Sequence, residues 1–322
     1  MIEKENEEEI IKEDSVTPVI RGHADADGIV SSIFTAYKYP YPIEIWYGTF
    51  GDTTGMAKGS VLCDMHPTKD FSGIVVDHHQ LKDYPLKRSY ELICDDVPAG
   101  LVALNAFKDE IPKSEWWKVA IACVGDVQAE TIPYYVYKEC PQLLNRIKSY
   151  SSDRKSYGKW TVSSRQTIDL LSSPVNSLLR IGEHEEALKL VMEAKSPNDI
   201  LNSPAVRRAK AKVNDDIKKI ISNINHVEFQ NLVVVPYYSD YKMSGYVSAT
   251  LGDTFDGKTI LAFNIKDGRG SIRGKLCHYW RDRFKDEKGF DYVNINGHPK
   301  ACGCSIKVNA ETFIEDLTKL LN

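Results

Sequence analysis

The run Ile74-Val75-Val76-Asp77-His78-His79 joins a short β-branched stretch to three residues whose side chains ligate metals or carry protons. Its Ile and Val residues predict a buried strand. A strand closing on an acid and two imidazoles presents them at its carboxyl end, the edge where open α/β sheets bind ligands. Packing alone does not call for that ending, and taken by itself it reads as a solvated strand exit. Three other stretches repeat the pattern. His23-Ala24-Asp25-Ala26-Asp27-Gly28 follows the apolar run Thr17 to Gly22 and precedes Ile29 to Tyr37, which has helical apolar spacing. His23, Asp25 and Asp27 thus lie in a turn between strand and helix, at alternate positions that converge on one side. Asp64 closes Ser60 to Cys63, and Gly125-Asp126 closes a helical segment from Ser114 to Val124.

Carboxylates with a few imidazoles form a hard-to-borderline donor set, which suits Mn(II) or Mg(II) better than a thiolate-type zinc site. One divalent ion does not need so many ligands. Two ions about 3.5 to 4 Å apart can share a bridging carboxylate and water, make hydroxide available near neutral pH and offset charge growing on a phosphoryl group. The chemistry expected is phosphoester or phosphodiester hydrolysis with two divalent ions, Mn(II) ahead of Mg(II).

The elements that must place these residues read as α/β. Strands are predicted at Thr17 to Gly22, Pro42 to Tyr47, Ser60 to Asp64 and Ile74 to Asp77, with helices at Ile29 to Tyr37, Pro98 to Phe107 and Ser114 to Val124. After a charged lead-in over 1–15, they predict a parallel-sheet α/β domain at 16–150. Residues 133–225 read as almost entirely helical, with breaks at Pro141, the Ser/Lys/Tyr-rich stretch 149–158, Pro174 and Pro204, and with a helical connector at 151–225. A smaller α/β domain follows at 226–322, with ligand-facing loops at Asp267 to Arg273 and Asn296 to Ala301. The glycines between Gly48 and Gly59 are followed by no Gly-Lys-Ser/Thr, so no phosphate-cradling loop is assigned there.

Composition narrows the field. A chain of 322 residues with 42% hydrophobic residues can bury two cores. Net charge of −4 and a pI near 6.1 lack the field of a protein that grips long phosphate backbones. The cationic residues of the helix from Pro204 to Asn223 are read as a solvated face. Seven scattered cysteines fit a reduced compartment, with Cys302 and Cys304 read as packing. No run is long and apolar enough to span a bilayer, and an acidic start is unlike a signal peptide, so a cytoplasmic location without membrane partners is expected.

His-x-Asp-x-Asp-Gly at 23–28, Asp64, Asp-His-His at 77–79 and Gly-Asp at 125–126 resemble, in order, the four motifs of the DHH phosphoesterase superfamily. Arg269 to Arg273 and Asn296 to Ser305 resemble the arginine-serine strand and glycine-histidine motif of the DHH-associated domain. The form of the first motif is more similar to the RecJ-like exonucleases than to the oligoribonuclease branch. The resemblance implies that His23 and Asp25 ligate one metal and Asp27, His78 and Asp126 the other, with Asp64 bridging. Asp77 would orient an imidazole, and His79 would contact the scissile phosphate. Arg273, Ser271 and Arg269 would hold a neighbouring phosphate, while Gly297 and His298 would close on the substrate, with the active site in the cleft between domains. Three departures stand out: Ile295-Asn296-Gly297-His298 where Gly-Gly-Gly-His is usual, Met65-His66-Pro67 after Asp64, and a chain far shorter than bacterial RecJ. His66 is read as a loop residue in preference to an accessory ligand.

The function expected is therefore a RecJ-like exonuclease hydrolysing single-stranded DNA or RNA from an end, with replication or repair proteins as partners. The main alternative is a phosphodiesterase for short oligoribonucleotides or linear dinucleotides. A non-catalytic replisome scaffold and a family II type pyrophosphatase are the lesser alternatives.

Overall fold

The apolar runs that end in acids do form strands, and all run in the same direction. The computed structural model of the chain describes residues 17–47, 52–79, 89–152, 160–252, 254–255, 257–298 and 301–321, without the side chains of 148–152, 160–163 and 296–298. The lead-in over 1–15 lies outside the described residues. Two units result, one of residues up to Leu143 with Leu188–Pro197, the other of Leu144–Ala187 with Asn198 onward.

In the first unit β1 (Ile20–His23), β2 (Ile43–Trp46), β3 (Ser60–Cys63), β4 (Gly73–Asp77) and β5 (Glu91–Cys94) make a parallel sheet in the order β2-β1-β3-β4-β5. The order reverses between β1 and β3, so the crevice at the carboxyl ends opens there. Helix α1 (Ala26–Lys38) connects β1 to β2 and is buried nearly all round, against β1, α2 (Ala99–Ala106) and α3 (Val119–Gly125). Helix α4 (Tyr134–Glu139) follows. Lys118 is buried at 1% exposure, pairs with Glu115 and donates to the Met192 carbonyl at 3.0 Å, which fastens residues 188–197 to this unit. Burial lowers its pKa, and Glu115 opposes that shift.

The second unit begins with a hairpin of β6 (Arg146–Ser152) and β7 (Trp160–Gln166), then α5 (Ser172–Arg180), α6 (His184–Glu193), α7 (Pro197–Leu201) and α8 (Pro204–Ser222). The hairpin corrects the almost entirely helical reading of 133–225. Helix α6 runs across the division between the units. A six-stranded mixed sheet follows in the order β12-β13-β11-β10-β9-β8, built from β8 (Val227–Glu228), β9 (Leu232–Tyr237), β10 (Thr259–Asn264), β11 (Arg269–Arg273), β12 (Val293–His298) and β13 (Ala301–Ile306). Leu232 and Val234 of β9 face a core with Trp280 and Phe284 of α10 (Cys277–Asp286) and Phe313 and Leu317 of α11 (Ala310–Leu321). Val233 and Val235 face Val213 and Ile217 of α8 and Val247 and Leu251 of α9 (Ser244–Gly252). A strand covered on both sides is apolar at every position, which is why β9 reads as a continuous run. The expected loop at Asn296 to Ala301 falls instead on the β12–β13 hairpin, with 299–300 outside the described residues. No helix among the described residues is long and apolar enough to cross a membrane.

The basic residues of α8 are engaged on the surface: Glu183 takes Arg208 at 2.9 Å and Lys212 at 3.4 Å, and Arg207 donates to the Asn202 carbonyl at 2.8 Å. These contacts fit the solvated-face reading. Cys302 is buried, with its Sγ 3.3 Å from that of Cys277, which places it in the packing of the second unit.

Candidate functional site

The turn after β1 is built around two hydrogen-bonding acids. Asp25 is the N-cap of α1 in an extended conformation, and its Oδ1 accepts the Gly28 N–H at 2.9 Å. That leaves Oδ2 to approach His23 Nδ1 at 2.7 Å. Gly28 is required here, since a Cβ on it would lie 2.2 Å from the His23 carbonyl oxygen. Asp27, in the first turn of α1, is buried at 1% exposure and its two oxygens accept the backbone N–H groups of Ala99 and Gly100, each at 2.7 Å. The residue preceding α2 is Pro98, which offers no side-chain cap. Asp27 therefore supplies from a distant part of the chain the acceptors and negative charge that a helix N-terminus favours.

Asp64 leaves β3 in the left-handed region, with φ 57°, while its N–H still bonds the Val76 carbonyl at 2.9 Å. An aspartate tolerates that conformation at a cost of about 1 kcal/mol. The turn points its carboxylate two ways: Oδ2 lies 3.5 Å from His23 Nδ1 and Oδ1 lies 3.3 Å from His78 Nε2. His78 Nε2 is also 3.3 Å from Asp126 Oδ2 and 3.7 Å from Asp27 Oδ2. Val127, next to Asp126, is a β-branched residue with φ 60° and 84% exposure, a second strained position at the same site. Asp77 is fully buried; its Oδ1 accepts the His78 N–H at 2.8 Å and sits 2.7 Å from His79 Nδ1, which fixes the ring of His79.

All eight first-unit residues singled out by sequence therefore converge. Their donor atoms fall into three overlapping groups: His23, Asp25 and Asp64; Asp27, His78 and Asp126; and Asp64, Asp77, His78 and His79. His66 stands beside the cluster, its ring centroid 5.9 Å from that of His79, and belongs to none of the three.

The charges bear on what this assembly can hold. Burial, then the Asp25 charge, push the Asp64 carboxyl well above the usual range, although His23 opposes the shift. Burial, then Asp64 and Asp126, do the same to Asp27. Asp126 is pushed up to about 6 by burial and by Asp25. Desolvation works against the charge of Asp25, yet His23 and the Gly28 N–H hold its carboxyl well below the usual range. His23 and His79 are likewise desolvated, but Asp25 raises the first and Asp77 the second. Four acids share a space whose imidazoles cannot neutralise them. A divalent cation would ionise them all, and carboxylate oxygens with imidazole nitrogens are the donors such an ion takes, so the residues present fit a metal.

The second unit holds a cationic feature of its own. Arg269, Ser271 and Arg273 alternate along β11 and so share one of its faces. Arg269 lies 4.0 Å from Asp267 and its carbonyl accepts Ser244 Oγ at 2.8 Å, while Ser271 is buried at 7% exposure. Arg273 is half-buried, and its Nε has no hydrogen-bond partner among the described residues. Gly245, at the start of α9, leaves it room: a Cβ there would lie 3.2 Å from a guanidinium nitrogen of Arg273. Arg180, at the end of α5, lies 5.3 Å over the Tyr246 ring. Burial lowers the pKa of both arginines, and for Arg180 the Arg273 charge adds to the effect. Two cations set together without a carboxylate partner among the described residues suit a bound anion. Arg180 was not singled out by sequence, because a basic residue in a last helical turn is ordinary. Gly297 and His298 lie on β12, with side chains outside the described residues.

No family model matches the sequence, and no curated protein does. Solved structures do. The chain is similar to RecJ from Thermus thermophilus in complex with Mn2+, with a TM-score of 0.62 and 14% identity, over 94% of this chain and 51% of that one. It is similar to the DHH domain of a member of a ribosomal-protein family, with a TM-score of 0.60 and 14% identity over 94% and 86% of the two chains. The chain has the DHH fold. A pGpG-specific phosphodiesterase from Vibrio cholerae shares it, with a TM-score of 0.50 and 12% identity over 94% of this chain and 97% of that one. The chain thus spans about half the length of the Thermus RecJ. Within the DHH fold, Asp77-His78-His79 occupies the carboxyl end of β4.

Proposed function

We propose that this chain is a metal-dependent phosphodiesterase of the DHH superfamily, acting on single-stranded nucleic acid from an end. The observation that carries the reading is Asp64, whose two oxygens address two different imidazole and carboxylate sets at the point where the sheet order reverses. In this reading His23, Asp25 and Asp64 hold one divalent ion, and Asp27, His78, Asp126 and Asp64 hold a second. Mn(II) is favoured over Mg(II) on the mixed carboxylate and imidazole donor set; the Thermus RecJ is described in complex with each of the two ions. Such a pair supplies Lewis-acid polarisation of a phosphoryl oxygen and a water acidic enough to attack near neutral pH. His79, held by Asp77 and with its pKa raised, donates a hydrogen bond to the scissile phosphate. Asp27 is kept in place by the α2 N-terminus, so its orientation does not depend on the ion. Arg180 and Arg273, with Ser271 and Arg269 on the same strand face as Arg273, bind a non-scissile phosphate, and His298 completes the substrate contacts.

Arg180→Met is expected to raise KM for a phosphorylated oligonucleotide by about tenfold or more, since a charge-assisted hydrogen bond contributes about 1.5 to 3 kcal/mol. The same change removes a repulsion from Arg273, so the melting temperature should hold or rise. Steady-state kinetics and a thermal melt of one preparation check both.

A second reading, hydrolysis of dinucleotides and very short oligonucleotides, is favoured by the acidic pI and by the likeness to the pGpG-specific enzyme. Replication or repair proteins are the partners the first reading would bring. Hydrolysis of end-labelled DNA and RNA strands from two to about thirty nucleotides separates the two. Long strands shortened stepwise from one end support the exonuclease, and turnover confined to the shortest supports the second reading. Cleavage of neither class refutes both.

A further inference from the structure

The edge strand β2 ends beside the first motif. Its last residue, Trp46, is the register partner of His23, so their backbones run about 4.8 Å apart at the carboxyl end of the sheet. Register partners in parallel strands project to the same face. Two residues earlier the partners Arg21 and Glu44 do so visibly, with Arg21 Nε and Nη2 donating to Glu44 Oε2 at 3.2 and 3.1 Å. The Arg21 guanidinium lies 4.5 Å from the Trp46 ring centroid. It is 7% exposed and is fixed by the carbonyls of Asp52 and Thr54, at 3.1 and 3.3 Å. Tyr47 stacks on Trp46, with centroids 6.5 Å apart and planes 29° apart, and is 56% exposed. Trp46 packs partly against the apolar cluster of Leu62, Met65, Phe71, Val75 and Tyr90, and Tyr47 is outside it.

The arrangement is a ring held rigidly by the sheet, a braced cation over it, and a second ring more than half open to solvent, one strand away from a metal-ligand candidate. Tyr47 keeps more than half of its surface in solvent beside that fixed ring. We propose that Trp46 and Tyr47 form a stacking platform for a nucleobase of the substrate, which rests on the phosphodiesterase reading above. Every base has a π-face, so such a platform accepts DNA and RNA and discriminates little among bases. Because Arg21 and the sheet already hold Trp46, little side-chain freedom is lost on binding.

The test compares a 5′-phosphorylated dinucleotide with its abasic counterpart, which has the same phosphates and sugars. Binding of each to the full chain is measured by calorimetric titration in Ca(II), with hydrolysis of both followed separately in Mn(II). Tyr47→Ala is expected to weaken dinucleotide binding about tenfold, within the range for base–aromatic stacking, and abasic binding by less than twofold. Tyr47→Phe should bind the dinucleotide within about twofold of wild type. Equal weakening for both compounds, no weakening for the dinucleotide, or no dinucleotide binding by the wild type would overturn the platform. Base-dependent binding lost in Tyr47→Ala, with no hydrolysis in Mn(II) of either compound or of DNA and RNA strands up to about thirty nucleotides, would sink the phosphodiesterase reading and leave the platform standing.

Discussion

Asp64→Asn is expected to lower hydrolysis by about 10³-fold or more, because metal ions supply several kcal/mol of transition-state stabilisation and this residue faces both ligand sets. Asparagine is the informative replacement. It keeps the size of the side chain, and it is the other common residue besides glycine that tolerates the left-handed backbone found here at φ 57°. A loss of activity would therefore report the missing charge and not a broken turn. The same substitution should raise the melting temperature of the metal-free protein, since the buried Asp64 carboxyl is repelled by Asp25 and its pKa stands well above the usual range. An inactive variant more stable than wild type in chelator is the expected pair of results, read from steady-state rates and a thermal melt.

Removing divalent ions from the wild type is expected to abolish turnover and to leave a protein whose stability falls as pH rises. An acid whose folded pKa is raised binds its proton more tightly in the folded state. Its stabilising effect is complete below the unfolded pKa and is lost as pH climbs through the folded value. For Asp126 that window runs from 3.8 to about 6, and for Asp27 and Asp64 it begins at 3.8 and extends upward. His23 acts in the same sense, since its pKa is raised above 6.5 and its contribution fades as pH rises through the folded value. Asp25, whose pKa is lowered, acts in the opposite sense, and only below 3.8. Between pH 5 and 8 the metal-free melting temperature should therefore decline. Mn(II) at a hundred times its Kd should add about 2.7 kcal/mol at the upper end and flatten the profile. Melts across that range with chelator and with Mn(II) measure both.

The ligand cluster was legible because each member stands at the end of an apolar run, where residue type and strand direction together give its place. The dual direction of Asp64 was legible only through the resemblance, as it depends on a left-handed turn no neighbouring residue announces. Nor was the second task of Asp27, since Ala99 and Gly100 are 72 and 73 residues away. Strand β5 was missed because Glu91-Leu92-Ile93-Cys94 is a short run at a sheet edge, too brief to show a period of its own. Strand β12 alternates Val293 and Ile295, buried at 9% and 1%, with asparagines, and the glycine and proline that follow drew the reading toward a loop. The β6–β7 hairpin lay in a polar stretch flanked by helices, where pairing of two neighbouring segments overrode local preference. Arg180 becomes informative only once it is seen close to Arg273.

The most direct test of a two-ion hydrolytic centre is the rate of hydrolysis of the best-cleaved strand between two and about thirty nucleotides as Mn(II) is titrated into chelator-stripped wild-type protein, with bound ions counted in parallel. The proposal predicts no turnover at the start and a rate that saturates as the second ion per chain binds. Turnover that survives stripping, or a full rate with one ion per chain, would contradict it.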